Sequence, residues 1–178
     1  MIRRMLRATA MVLALCFQID PSSAADIAGY RALNLGMSIE QAEKKLAGSK
    51  DLIRCKPLPK RVSGCLQFIE PGTPDRKVVV FFRENKAYLI RLLPQIDKRQ
   101  TDEQRCGDLY ETTREAMKKT YGKPDIAEEF KKFGSLIKRS VWLDKSRHLR
   151  VSGSWMESAK FCTGVMVDFR DKPYKKGH

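Results

Sequence analysis

Residues 78–93 read VVVFFRENKAYLIRLL, and residues 138–153 read KRSVWLDKSRHLRVSG. Each stretch is two runs rich in β-branched and aromatic residues around a short polar turn, the pattern of a β-hairpin. Their registers decide which residues meet a core. With Glu84-Asn85-Lys86 as a three-residue turn, Val78, Val80, Phe82, Tyr88, Ile90 and Leu92 share one face. Val79, Phe81, Leu89 and Leu93 share the other, interrupted by Arg83 and Arg91. A three-residue turn at Lys145-Ser146-Arg147 pairs Val141 with Val151 and Leu143 with Leu149. The same register sets Trp142 opposite Arg150 on the opposite face, near Lys138 and three serines.

Outward from the hairpins, the pattern repeats. Ser38 is an N-cap signal with Gln41 at the reciprocal capping-box position, and Gly48 is a stop. Ile39, Ala42 and Leu46 lie on one face of the short helix between them. Strand patterns follow at 52–55, 65–69, 77–83 and 87–93, and Pro94 ends the last. Thr101 then caps a second helix, with Gln104 three residues on. Its apolar stripe runs from Cys106 through Leu109, Tyr110 and Met117 to Tyr121, and Gly122 and Pro124 stop it. Four more strand patterns occupy 126–130, 136–143, 148–155 and 163–170. The expected fold is therefore α+β, with two tandem helix-plus-antiparallel-meander repeats, 26–97 and 98–170, and helices on one face of the sheet. Residues 171–178 form a polar tail expected to fray.

Residues 1–25 read as a signal peptide. Arg3, Arg4 and Arg7 precede a short apolar run, and Ser22-Ser23-Ala24-Ala25 offers a cleavage site. The paired arginines do not continue as a twin-arginine signal, and Leu15 before Cys16 is too large for a lipoprotein site. The expected compartment is periplasmic or secreted. Cleavage near Ala25 removes three positive charges and Asp20, so the net charge falls from +14 to +12. Cys55, Cys65, Cys106 and Cys162 then remain, an even number that reads as two disulfides with three connectivities. The favoured pairing is Cys55–Cys65 and Cys106–Cys162. Strict alternation turns Cys162 away from Cys106 unless Gly164 hosts a bulge that restores parity.

Leu35-Gly36-Met37-Ser38 with Ala42 and Leu46, the hairpin pattern, and Tyr121-Gly122-Lys123-Pro124 carry a family resemblance. The opening is similar to that of the β-lactamase-inhibitor-protein-like fold and of the small SmpA/OmlA-type envelope proteins. The resemblance implies a sheet with helices on one face and a binding surface on the other, in an inhibitor-like or envelope-assembly role.

Catalysis finds little footing here. His148 is the sole internal histidine and has no nucleophile beside it in the pattern, and Glu128-Glu129 reads as a solvated strand edge. No phosphate loop or zinc-site spacing occurs, so neither a cofactor nor a metal is expected. The reading is a binding protein, not an enzyme, acting on an envelope protein through the open sheet face. Its candidate binding residues are Trp142, Arg150, Lys138, Tyr88 and Phe82. The apolar second face of the first hairpin makes a homodimer a further candidate. The alternative is a binder of anionic envelope lipid or polyanion, driven by the dispersed positive charge. Nucleic acid is not expected, since no aromatic-basic reader motif is present.

Overall fold

The structure, a computed structural model, describes residues 25–49, 51–55, 64–70, 76–94 and 103–175. The signal segment 1–24, the Thr101 cap and most of the loop between Cys55 and Cys65 lie outside the described residues. A two-residue ribbon comes first, β1 (Gly29–Tyr30) and β2 (Leu33–Asn34), then helix α1 (Ile39–Leu46). Strands β3 (Ile53–Cys55), β4 (Gly64–Glu70), β5 (Arg76–Arg83) and β6 (Lys86–Pro94) follow. Helix α2 (Glu103–Tyr121) leads into β7 (Ile126–Lys132), β8 (Ser135–Asp144), β9 (Arg147–Met156) and β10 (Phe161–Arg170).

The eight longer-range strands form one antiparallel sheet in the order β3-β4-β5-β6-β10-β9-β8-β7. This corrects the expected fold class. The chain is mainly β, with helices of only 8 and 19 residues, and it does not divide into two tandem helix-plus-meander repeats. The reason lies in the pairing of β6 with β10, which sets Leu92 opposite Val167 and Ile90 opposite Phe169. An unpaired strand edge carries a row of free N–H and C=O groups. Zipping the two meander edges together satisfies those groups and merges their apolar strips into a single core.

Local signals shaped the pieces. Ser38 caps α1, its hydroxyl accepting from the Gln41 amide while the Gln41 side chain accepts from the Ser38 amide. The Gly36-Met37 turn docks on β6 through a reciprocal backbone pair. The Gly36 N–H donates to the Ala87 carbonyl at 2.7 Å, and the Ala87 N–H donates to the Met37 carbonyl at 2.8 Å. Gly36 holds φ +87°, which a side chain would strain. The ribbon is tied down by Tyr30, whose hydroxyl donates to Glu70 Oε2 at 2.7 Å.

Both hairpin turns are one residue tighter than expected. Glu84 and Asn85, at φ 50° and 59°, make a two-residue turn between Arg83 and Lys86. A register shift at Phe81/Phe82, which sets Phe82 opposite Ala87, then absorbs the extra residue, so Val78 still faces Leu92 and Val80 still faces Ile90. These residues, with Leu66, Phe82, Leu149, Val151, Val167 and Phe169, face α1 and α2 and form the core with Ala42, Leu46 and Tyr110. The second hairpin has no such shift. Asp144 pairs with Arg147 around Lys145-Ser146, which puts Trp142 opposite Leu149 and Val141 opposite Arg150. A one-residue slip reverses every side chain of a strand. Trp142 therefore sits on the helix face, buried, and its Nε1–H donates to the Gly122 carbonyl at 2.8 Å.

That bond makes a prediction. Trp142→Phe keeps an aromatic ring in the core but leaves the Gly122 carbonyl without its donor, at a cost of about 1–3 kcal/mol. Urea denaturation should show the loss, whereas a tryptophan on an exposed sheet face would give almost none.

Both disulfides are present as Cys55–Cys65 and Cys106–Cys162, with Cα atoms 5.2 and 5.7 Å apart. A register shift between Cys162 and Gly164, where Gly164 holds φ 115°, turns Cys162 toward α2. Gly153 lets α2 approach β9, since a Cβ there would lie 3.1 Å from the Tyr110 Cβ.

Candidate functional site: a basic hollow on the open sheet face

The strand registers set Arg91 (β6), Asp168 and Arg170 (β10), His148 and Arg150 (β9) and Arg139 (β8) on the face away from the helices. Asp168 is fully buried at the centre of this face. Arg91 grips it with two bonds, Nε to Oδ1 at 2.7 Å and Nη2 to Oδ2 at 3.1 Å. Arg150 and Arg170 each donate from Nη2 to Oδ2, at 2.6 and 2.9 Å. Burial alone would raise the Asp168 pKa. The three guanidiniums, Arg91 foremost, override it and bring the carboxyl down to about 2. One carboxylate thus answers three guanidiniums, and the centre of the face keeps an excess of two positive charges.

Residues 171–175 do not fray. They fold back over the edge of this cluster as a strap. The Asp171 amide donates to the Tyr88 carbonyl at 3.0 Å, and Arg147 Nε donates to Asp171 Oδ1 at 3.1 Å. His148 Nδ1 lies 2.7 Å from the Lys172 carbonyl, which can only accept, so the histidine donates. The Tyr174 ring meets His148 edge-on at 5.4 Å. Its hydroxyl accepts from Arg139 Nη1 at 3.0 Å and donates to Glu128 Oε1 at 3.3 Å. Arg139 also pairs with Glu128 at 3.0 Å and covers the Phe130 ring.

Between strap and sheet lies a hollow of about 570 Å³, lined by His148, Arg150, Arg170, Lys172, Pro173, Tyr174 and Lys175. Four of these seven are cationic and none is a carboxylate. The local field shows in the titrating groups. Burial holds the Lys172 pKa below its ordinary value, and Arg170, Arg83, Lys175 and Arg150 push the same way. Burial lowers His148 too, its bond to Lys172 opposes, and Arg170 and Arg150 add to the lowering, so the ring is neutral at pH 7. Burial lowers Arg150, against the pull of Asp168, though a guanidinium keeps its charge in any ordinary solution.

Of the five residues singled out in the sequence, only Arg150 belongs to this site. Trp142 and Phe82 are core residues. Lys138 faces the helix side, 3.6 Å from Glu129, beside a different cavity of about 660 Å³. Glu103, Asp108, Glu111 and Glu129 give that cavity an acidic lining. Tyr88 is half-buried under the Arg83 guanidinium, 4.6 Å from its ring centre. The sequence reading missed Asp168, Arg170, Lys172 and Tyr174. A charge in mid-strand among apolar neighbours, as at Asp168 and Arg91, was the available signal.

No group of three or more metal-ligating side chains occurs among the described residues. No helix among them is long and apolar enough to cross a membrane. No family model matches the chain, and no curated protein matches it. Among solved structures, it is similar to a cysteine-rich secretory protein from Staphylococcus aureus at 10% identity and a TM-score of 0.33. That likeness covers 78% of this chain and 44% of the other, so the chain spans less than half of that structure's length.

Proposed function

We propose that this protein is a secreted or periplasmic binding module that holds an anionic group of its partner on the open face of its sheet. The observation that carries the reading is the hollow beside Asp168, where four cations face one space and the nearest buried carboxylate is already shared by three guanidiniums. Two disulfides are compatible with an oxidising compartment, and residues 1–25 supply the export signal in this reading. Binding rather than turnover is inferred because His148 holds the strap through its Nδ1 and packs against Tyr174. The geometry favours charge-directed binding over docking of an apolar partner, since the aromatic anchor of the latter, Trp142, lies in the core.

The test uses oxidised residues 26–178 against polyglutamate, heparin and vesicles of equal phosphatidylglycerol and phosphatidylcholine. Binding to at least one is expected at 50 mM salt. It should vanish near 1 M, where the Debye length shrinks to about 3 Å. Equal binding to pure phosphatidylcholine vesicles, or retention at 1 M salt, would overturn the reading.

A further inference from the structure

We propose that the hollow formed by Arg150, Arg170, Lys172 and Lys175 is a single-occupancy site for a phosphate group, most closely a phosphomonoester dianion. The inference rests on the anion-binding reading above and narrows it to one chemical group at one place.

Three observations carry it. The cations come from two directions. Arg150 and Arg170 rise from adjacent strands, while Lys172 and Lys175 belong to the strap across the space. A planar carboxylate offers two oxygens in one plane and suits a single guanidinium fork. A tetrahedral phosphate projects oxygens toward floor and wall together.

The charge count agrees. Arg91, Arg150 and Arg170 against Asp168 leave two positive charges, and the two lysines add two more. A monoanion would leave most of that excess unanswered, whereas a dianion cancels half of it. Among the described residues the lining holds no carboxylate to compete with a ligand for the lysines.

The guanidiniums are only partly used. Arg150 and Arg170 each reach Asp168 through Nη2 alone, and among the described residues neither guanidinium makes another hydrogen bond, the Nε of each being buried and unpaired. A guanidinium carries five N–H donors in a rigid fork, and Asp168 fixes the orientation of both forks before any ligand arrives. Their side chains are 13% and 21% exposed, which screens them less than surface lysines. A volume of about 570 Å³ is in the range of small-ligand sites. Tyr174 and Pro173 give the rim an apolar side on which the organic part of a phosphoester can rest.

Calorimetric titration with inorganic phosphate at pH 7.5 and 50 mM salt should give one site per chain, with acetate at least 10-fold weaker. The double variant Lys172→Gln, Lys175→Gln should weaken phosphate at least 10-fold. It alters two strap side chains outside the Asp168 cluster, so folding is not in question as it is for Arg150→Gln. Lys44→Gln with Lys45→Gln removes equal charge from α1, which packs on the opposite face, and should leave affinity within 2-fold. Vesicles bearing phosphatidic acid, compared with phosphatidylglycerol, form the second arm. Free phosphate and phosphatidic acid both binding identifies the group itself as sufficient. Phosphatidic acid alone binding, with the strap variant abolishing it, identifies a lipid headgroup as the source. If polyglutamate or heparin binds but neither phosphate form does, or the two double variants weaken binding equally, the phosphate site is overturned and the broader reading stands. If no anion binds, both fall.

Discussion

Replacing Asp168 by Asn is expected to cost about 3–5 kcal/mol of stability, the range seen when one partner of a buried ion pair is removed. Asn nearly matches Asp in shape, so the change isolates charge from packing. Three guanidiniums would lose their shared counter-ion on a fully buried site, and among the described residues no other carboxylate bonds to Arg91, Arg150 or Arg170. Partial exposure of the arginines lets water relieve some of the repulsion, which favours the lower end of the range. A drop of about 10 °C in melting temperature is the expected reading.

The same carboxylate predicts an acid limb. Its pKa is lowered on folding, from 3.8 to about 2, so its stabilisation is complete above the unfolded value. That stabilisation is lost as pH falls through 4 toward 2, roughly 2 kcal/mol in all. Asp168→Asn should lack this step while keeping those of other carboxylates. Urea midpoints measured from pH 6 to pH 2 on both proteins give the difference directly. Equal slopes in the two proteins would mean that Asp168 is not held ionised by its arginines. Because the substitution raises the charge of the open face by one, affinity for anions should hold or rise in the protein that remains folded.

How far the sequence reveals this depends on whether the decisive contact is local. The capping box of α1 was legible because Ser38 and Gln41 are three residues apart and need no tertiary partner. The eight strands of the large sheet were legible from alternation, and the bulge beside Cys162 followed from a parity conflict with Cys106. The second hairpin was not. Its turn carries no glycine or asparagine, so Asp144-Lys145-Ser146-Arg147 reads equally as a two- or three-residue loop. Left-handed backbone at Lys145 settles it on two, and Trp142 moves from the open face to the core. The first hairpin tolerated the same error because the shift at Phe81/Phe82 cancelled it. The pairing of β6 with β10 joins residues 77 positions apart, as between Arg91 and Asp168, and no local pattern encodes it. The strap was hidden for a different reason. A polar tail reads as solvated, yet Tyr174 finds Arg139, Glu128 and His148 only once the sheet exists.

Removing the Cys106–Cys162 bridge as a paired alanine variant is the second large effect expected. A cross-link spanning 56 residues restricts the unfolded chain by about 4 kcal/mol in the loop-entropy treatment, against about 3 for the 10-residue span of Cys55–Cys65. The structure adds a reason for the longer bridge to matter more. Cys106 and Tyr110 are the fully buried side chains of α2, and its partly buried apolar contacts with the core, Leu109, Met117 and Tyr121, all lie after Cys106, so its first turns have the least apolar hold on the sheet. Tyr110 contributes its packing on Gly153 and a 2.8 Å hydrogen bond with Ser140, both toward the middle of the sheet. The first turns of α2 rest on the disulfide and its small cluster with Trp155 and Leu136. Their loss should therefore appear first as amide exchange in α2 and only then as a lower urea midpoint. The strap is anchored from β6, β8 and β9 on the opposite face, so phosphate affinity below the melting transition should stay within 2-fold. Exchange spreading evenly over the sheet, with α2 no faster than β9, would show that the bridge acts on the unfolded chain alone. Faster exchange confined to α2, with the hollow still binding, would show that the helix and the open face are energetically separable, as their placement on opposite sides of one sheet implies.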